Sequence, residues 1–258
     1  MRLLNTTTLK LREPSSEKVP YAILSHCWED EEVLFQDIQG PDPSAKKGFK
    51  KLANCCARAK SRGYEWVWID TCCIDKTSSS ELSEAINSMY RWYAESDICY
   101  AFLSDFSSSR WFTRGWTLQE LLAPRKVEFY NSHWQFVGTK ASLVEQLVFI
   151  TRIDEQSLLG CGSILDVPVA RKLSWAASRE TTRVEDIAYC LMGLFGVNMP
   201  LLYGEGKKAF MRLQGEIIQQ TNDHTILLLS NRPPDSIRYK GLPSILEYSP
   251  AEWRKCGI

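Results

Sequence analysis

What the chain lacks narrows its role first. Charge of one sign is missing: 31 basic and 31 acidic side chains cancel to zero. Without an excess of Lys and Arg there is no electrostatic footprint for nucleic acid. Long apolar runs are missing too, and nothing approaches the roughly 18 residues that a membrane span requires. The opening Met1–Thr6 soon turns polar and lacks the apolar core of a signal peptide, so the expected location is cytoplasmic. Neither a G-x-G-x-x-G fingerprint nor a P-loop occurs, which removes the familiar glycine-rich phosphate cradles. There are no internal repeats and no low-complexity segments. Cysteine is plentiful at nine, but the number is odd and no C-x-x-C is present; Cys55-Cys56 and Cys72-Cys73 are adjacent pairs. Most are expected to be reduced, small, buried residues. A zinc site from His26, Cys27, Cys72 and Cys73 is an alternative, but zinc ligands usually come in pairs two to four residues apart, so no metal is expected.

The 258 residues, 44% hydrophobic and 24% charged, suffice for one large domain or a domain with a second lobe. Arg2–Leu4 reads as a short strand. Tyr21-Ala22-Ile23-Leu24-Ser25-His26 is an apolar run that ends polar, as a buried parallel strand does. Phe49, Leu52, Ala53, Cys56 and Ala59 predict a helix of about 13 residues that Gly63 ends. Trp66–Ile69 is the next strand, terminating in Asp70. Ser78 and Glu81 have capping-box spacing and open a helix with the stripe Leu82, Ile86, Met89, Tyr90 and Tyr93. Ile98–Leu103 and Val127–Tyr130 complete the strands. Their alternation with helices predicts an α/β fold, a mostly parallel sheet flanked by helices. Beyond residue 140 the character changes. Ser142–Ile150, then Val184, Ile187, Ala188, Leu191, Met192 and Phe195, then Phe210, Leu213, Gln214, Ile217 and Ile218 read as helices. Ile226–Leu229 reads as a late strand and Pro233-Pro234 as the start of a loop-rich tail. The expected division is an α/β core over 1–140 and a mostly helical lobe over 141–258, packed on it.

The stretch Ser109–Pro124 is dense in Trp and Arg and then becomes a short helix that Pro124 stops. Trp116 and Glu120 are four apart and share one face; Leu118, Leu121 and Leu122 read as the buried face. Gly115 frees the entry to this helix. Arg110 and Arg114 lie beside it, so an ordinary Glu–Arg pair is the plain structural alternative. In open α/β sheets ligands collect outside the carboxyl ends of the strands. Those ends carry Ser25 and His26, Asp70, and Ser104 and Asp105. Glu120 with Trp116, Ser25, His26, Trp28, Asp70 and Arg114 is therefore the candidate site, a polar rim with a tryptophan wall.

Three segments together resemble the signature blocks of the fungal HET (heterokaryon incompatibility) domain. They are Tyr21-Ala22-Ile23-Leu24-Ser25-His26-Cys27-Trp28, Trp68-Ile69-Asp70-Thr71-Cys72-Cys73-Ile74-Asp75 and Arg114-Gly115-Trp116-Thr117-Leu118-Gln119-Glu120. Met1–Thr6 and Tyr203–Gln214 are similar to the HET subgroup that precedes a nucleotide-binding oligomerisation module and β-propeller repeats. The resemblance implies the N-terminal effector part of a larger receptor, driving cell death in heterokaryon incompatibility and innate immunity. The HET domain is in turn similar to TIR domains, which implies a flavodoxin-like fold. Tyr21–Ser25 and Val67–Asp70 are similar to the first two TIR strands. Trp116–Leu121 is similar to the TIR segment bearing a Trp, a Cys and then a Glu, with Thr117 here in place of the Cys.

By that resemblance Glu120 is the catalytic residue of NAD(P)+ cleavage, with the dinucleotide as substrate and no cofactor. Breaking the nicotinamide–ribose bond passes through an oxocarbenium-like state. The cationic nicotinamide leaves without a general acid, and one carboxylate facing the developing positive charge suffices. Trp116 would stack on nicotinamide, Ser25 and His26 would contact ribose or phosphate, Asp70 would order the loop after the second strand, Trp28 would wall the pocket and Arg114 would meet the pyrophosphate. Self-association is expected to complete the site. Two readings compete: a non-enzymatic homotypic interaction domain that recruits a death executor, and a thiol or metal site around Cys27, Cys72 and Cys73.

Overall fold

The structure, a computed structural model, describes residues 1–14, 19–227 and 246–256. Its seven-stranded sheet is built from β1 (Leu3–Asn5), β2 (Leu11–Arg12), β3 (Tyr21–His26), β4 (Trp66–Trp68), β5 (Ile98–Phe102), β6 (Val127–Tyr130) and β7 (Phe136–Thr139), in the order β2-β1-β4-β3-β5-β6-β7. The inner four, β4-β3-β5-β6, are parallel. In chain order they run second, first, third, fourth. The outer strands are antiparallel additions, β1 on β4 and β7 on β6. All six residues of β3 are buried, as a central parallel strand covered on both faces demands. Its register against β5 runs from Ala22↔Ile98 to His26↔Phe102.

Among the described residues six helices have six or more residues: α1 (Phe49–Ser61), α2 (Ser79–Glu95), α3 (Thr117–Leu122), α4 (Val144–Thr151), α5 (Val169–Ala176) and α6 (Lys208–Gln220). The apolar stripe of α1 buries Leu52, Cys55, Cys56 and Ala59, and its exit turns at Gly63 with φ +84°, a left-handed conformation that suits glycine. Ser78 caps α2 by accepting the Glu81 backbone N–H at 3.4 Å. The Glu81 carboxylate does not return to the cap; it accepts from the Asp75 N–H at 2.7 Å and from Arg2. That ties β1 to the loop after β4. Trp68 packs edge-on against Trp92 and Tyr93 of α2, with centroids 5.5 and 5.9 Å apart.

Several expectations need correction. β2 and β7 are added strands that the apolar pattern does not reveal; β2 has two residues and β7 starts at the exposed Phe136. The stripe over 184–195 forms two short helices, Asp186–Tyr189 and Met192–Phe195. Gly193 there lies against Tyr90 so closely that a Cβ would sit 2.1 Å from the tyrosine Cβ. Ile226 and Leu227 belong to a 3₁₀ turn, His224–Leu227. Residues 228 and 229 of that expected strand, and the tail from Pro233-Pro234, lie outside the described residues. Gly115 is not a conformational hinge. It gives room: a Cβ would stand 2.5 Å from Thr181 Cγ2 and 3.0 Å from Cys190 Sγ.

Candidate functional site

Ser25 and His26 are consecutive on β3 and therefore face opposite sides of the sheet. This splits the candidate residues into two groups. On one side Ser25 Oγ donates to Glu120 Oε2 at 2.5 Å and accepts the Trp111 indole N–H at 2.7 Å. Glu120 is 7% exposed and Ser25 fully buried. α3 is buried on every face, including Thr117 and Gln119, rather than presenting Glu120 to solvent. Burial pushes the Glu120 carboxyl up to about 8, with the Ser25 hydroxyl and the Arg179 guanidinium working against that rise. In this closed arrangement the group is a carboxylic acid at neutral pH.

Arg179, 6% exposed, comes from beyond α5. Its Nη1 donates to the Arg114 carbonyl at 2.8 Å and to Thr117 Oγ1 at 3.0 Å. Thr117 Oγ1 in turn donates to the Trp111 carbonyl. The backbone of Thr113–Gly115 pairs with Glu180 through Glu180 N–H to Thr113 at 2.7 Å and Gly115 N–H to Glu180 at 2.8 Å. The stretch entering α3 is thus clasped by residues 65 positions later in the chain. Trp116 does not share a direction with Glu120. Its N–H donates to Asp186 Oδ2 at 3.3 Å, and Asp186 Oδ1 accepts from Tyr203. Gly204 and Gly206 N–H both hold Glu185 at 2.9 and 3.0 Å. The 203–206 motif is therefore a fastener for the segment under Trp116.

On the other side of the sheet His26 Nε2 meets Asp70 Oδ1 at 3.2 Å, and its Nδ1 lies 3.7 Å from Glu32. Trp28 donates to Asp70 Oδ2 at 2.8 Å. Lys76, 3.6 Å from the same oxygen, sits 3.3 Å above the Trp28 ring. Lys51 of α1 pairs with Glu32 at 2.5 Å. Burial opposes the Asp70 charge, but Lys76, His26 and the Trp28 N–H together hold its carboxyl below the usual range. Trp28 is 44% exposed and marks the open edge of this group.

The two arginines do not pair with Glu120. Arg114 donates to Thr182 Oγ1 at 3.2 Å, and Arg110 to the Trp28 carbonyl at 3.1 Å. Ser25 and Glu120 are brought together, as are His26, Trp28 and Asp70; Trp116 and Arg114 each turn to the later half of the chain. Sequence reasoning missed Trp111, Arg179, Asp186, Lys76 and Lys51. Trp111 lay inside the Trp- and Arg-rich stretch, which was its one signal. Three of the four alternative zinc ligands make other contacts: His26 with Asp70, and the sulfurs of Cys72 and Cys73 with the Ile69 backbone. Among the described residues no cluster of three metal-ligating side chains occurs, and no helix is long and apolar enough to cross a membrane.

Residues 21–108 match the family described as Heterokaryon incompatibility protein (HET). That span holds β3, β4 and β5 but stops short of Glu120. The chain is also 42% identical, over an alignment of 224 positions that covers 79% of the chain, to "Vegetative incompatibility protein HET-E-1" of Podospora anserina. It spans only 16% of that relative's length. No solved structure matches the chain. The order of the three signature blocks, the matched span and the similarity that runs on past it give one conclusion: the chain belongs to the fungal HET domain family.

Proposed function

We propose that this chain is the effector domain of a fungal incompatibility protein that causes cell death, and that it hydrolyses NAD(P)+ at the nicotinamide–ribose bond once oligomerised. The carrying observation is Glu120: an acid engaged with Ser25 at the carboxyl end of the central strand, next to the β3/β5 neighbours where the strand order reverses. Open parallel sheets bind ligands at that switch point, and the order second, first, third, fourth matches the first four places of a flavodoxin-like sheet. This order supports the TIR likeness, as does the Trp116–Glu120 run that leads into α3.

In the proposed reaction the C–N bond breaks and its electron pair leaves with nicotinamide. Water adds to the anomeric carbon and loses a proton, giving ADP-ribose (or its phosphorylated analogue), nicotinamide and H⁺. Ionised Glu120 stabilises the oxocarbenium-like state from the ribose side. Ser25 would hold the ribose beside Glu120; Trp116 and Arg114 would reach nicotinamide and the pyrophosphate once released from Asp186 and Thr182, and His26, Trp28 and Asp70, across β3, would order the phosphate side. A closed chain with an acid titrating at about 8 is poorly set for this. Opening of the clasp from Arg179 and Glu180 on self-association would wet Glu120, return its carboxyl toward the ordinary range and admit substrate. In the full receptor, nucleotide-binding oligomerisation and β-propeller modules would impose that association.

Purified wild type and Glu120→Ala, both shown folded, are compared for NAD+ consumption as free chains and when fused to an oligomerising tag. Turnover by the oligomer of the wild type alone supports the proposal. The burial of Glu120 favours one competitor, a non-enzymatic interaction domain that recruits the executor. No turnover in any state, with homotypic binding retained by both proteins, would decide for it.

A further inference from the structure

We infer that the chain carries a second site, for a phosphate-bearing small molecule, at the opposite end of the strands from the contact between Ser25 and the Glu120 carboxyl. A cavity of about 350 Å³ opens at the amino ends of β5 and β6, lined by Ile98 and Val127, by Tyr64, and by Arg62, Arg125, Lys126 and Lys140 beside Glu128. Pockets that hold small ligands start at about this size. Four cations against one carboxylate make its wall strongly positive, although the whole chain is neutral.

Most of that charge is not spent on neighbours. Glu128 is already answered twice, by Arg62 at 2.8 Å and by Arg58 at 3.6 Å. Lys140 is 3% exposed and donates to the Leu121 and Pro124 carbonyls at 3.0 and 2.7 Å. Neutral acceptors leave its charge uncancelled. Arg125 and Lys126 are exposed and enter no ion pair among the described residues. Tyr64 lines the same wall. Asp97 is a further acid near Tyr64. A multivalent anion with several oxygens fits this set, since arginine forks bind phosphate oxygens in pairs and lysine adds a point charge. An apolar or cationic ligand would meet uncompensated positive charge. The ammonium of Lys140 also closes the carboxyl end of α3, so an anion here would sit beside the helix that carries Glu120.

The phosphate chemistry has two possible sources, a soluble compound or a lipid headgroup, and two probes separate them. Inorganic pyrophosphate is titrated calorimetrically into the full chain at physiological salt. Vesicles of phosphatidylcholine, with and without a phosphoinositide, are tested by co-sedimentation. The comparison protein is Arg125→Ala/Lys126→Ala; both side chains are exposed, so its fold should be retained and is checked by circular dichroism. Saturable binding of pyrophosphate, weakened roughly tenfold or more in the variant, supports a soluble ligand. Phosphoinositide-dependent sedimentation lost in the variant supports a headgroup at the same site. Neither probe binding, or both binding the variant as well as the wild type, overturns the inference.

Discussion

Replacing Glu120 by Gln should make the closed chain more stable at neutral pH, not less. Gln keeps the shape of a protonated carboxyl and can still accept the Ser25 hydroxyl, but it cannot ionise. The wild-type group titrates near 4.5 in the unfolded chain and at about 8 in the buried site. Its folded value is raised, so the folded protein holds the proton over that window while the unfolded chain has lost it. Stability therefore falls as pH rises from 4.5 toward 8. Each pH unit in the window removes about 1.4 kcal/mol, so by pH 7 the group has taken away about 3 kcal/mol. Glu120→Gln should lack this loss. Urea unfolding of both proteins at pH 5 and pH 7.5 measures it: the variant's advantage should be small at the lower pH and grow at the higher. Parallel pH profiles for the two proteins would refute the buried, proton-holding state of Glu120.

Two further substitutions test the surroundings. Asp70→Asn removes the carboxylate that holds His26, Trp28 and Lys76, and should cost about 2–3 kcal/mol at pH 7. Because the Asp70 value is depressed, its contribution is present above its ordinary 3.8 and lost as pH falls through the lower folded value. The gap between the two proteins measured in urea should therefore close in acid; a constant gap would contradict the charge-based role. Gly115→Ala forces a Cβ into Thr181 and Cys190 and should destabilise by about 1–3 kcal/mol. A thermal melt unchanged from wild type would show that the 113–115 and 180–182 segments are not packed as described.

The parallel strands were legible as short, mostly apolar runs bounded by polar residues, and β6 has the bounds Val127–Tyr130 read from the chain. The edge strands were not, since a two-residue strand and one with an exposed aromatic have no period to read. Ser25 was visible as a polar residue at the end of such a run. Its partners were not: Trp111 and Glu120 reach it across 86 and 95 residues of chain. Four-residue spacing put Trp116 and Glu120 on one helix face, but Trp116 is the cap residue before α3 and turns to Asp186 instead. Arg179 had no local signal, because a buried arginine is defined by the carbonyls it finds after folding. Local pattern yields elements; the pairing of polar groups between elements comes from the tertiary fold.

Nicotinamide release by the oligomerised chain is the most direct measurement. With NAD+ supplied to tagged, oligomeric wild type and Glu120→Gln at pH 7.5, products are resolved by chromatography. The proposal predicts stoichiometric nicotinamide and ADP-ribose from the wild type, and a rate lower by roughly a hundredfold or more in the variant. Equal release by both proteins, or none by an oligomer shown to be folded, would contradict a catalytic Glu120.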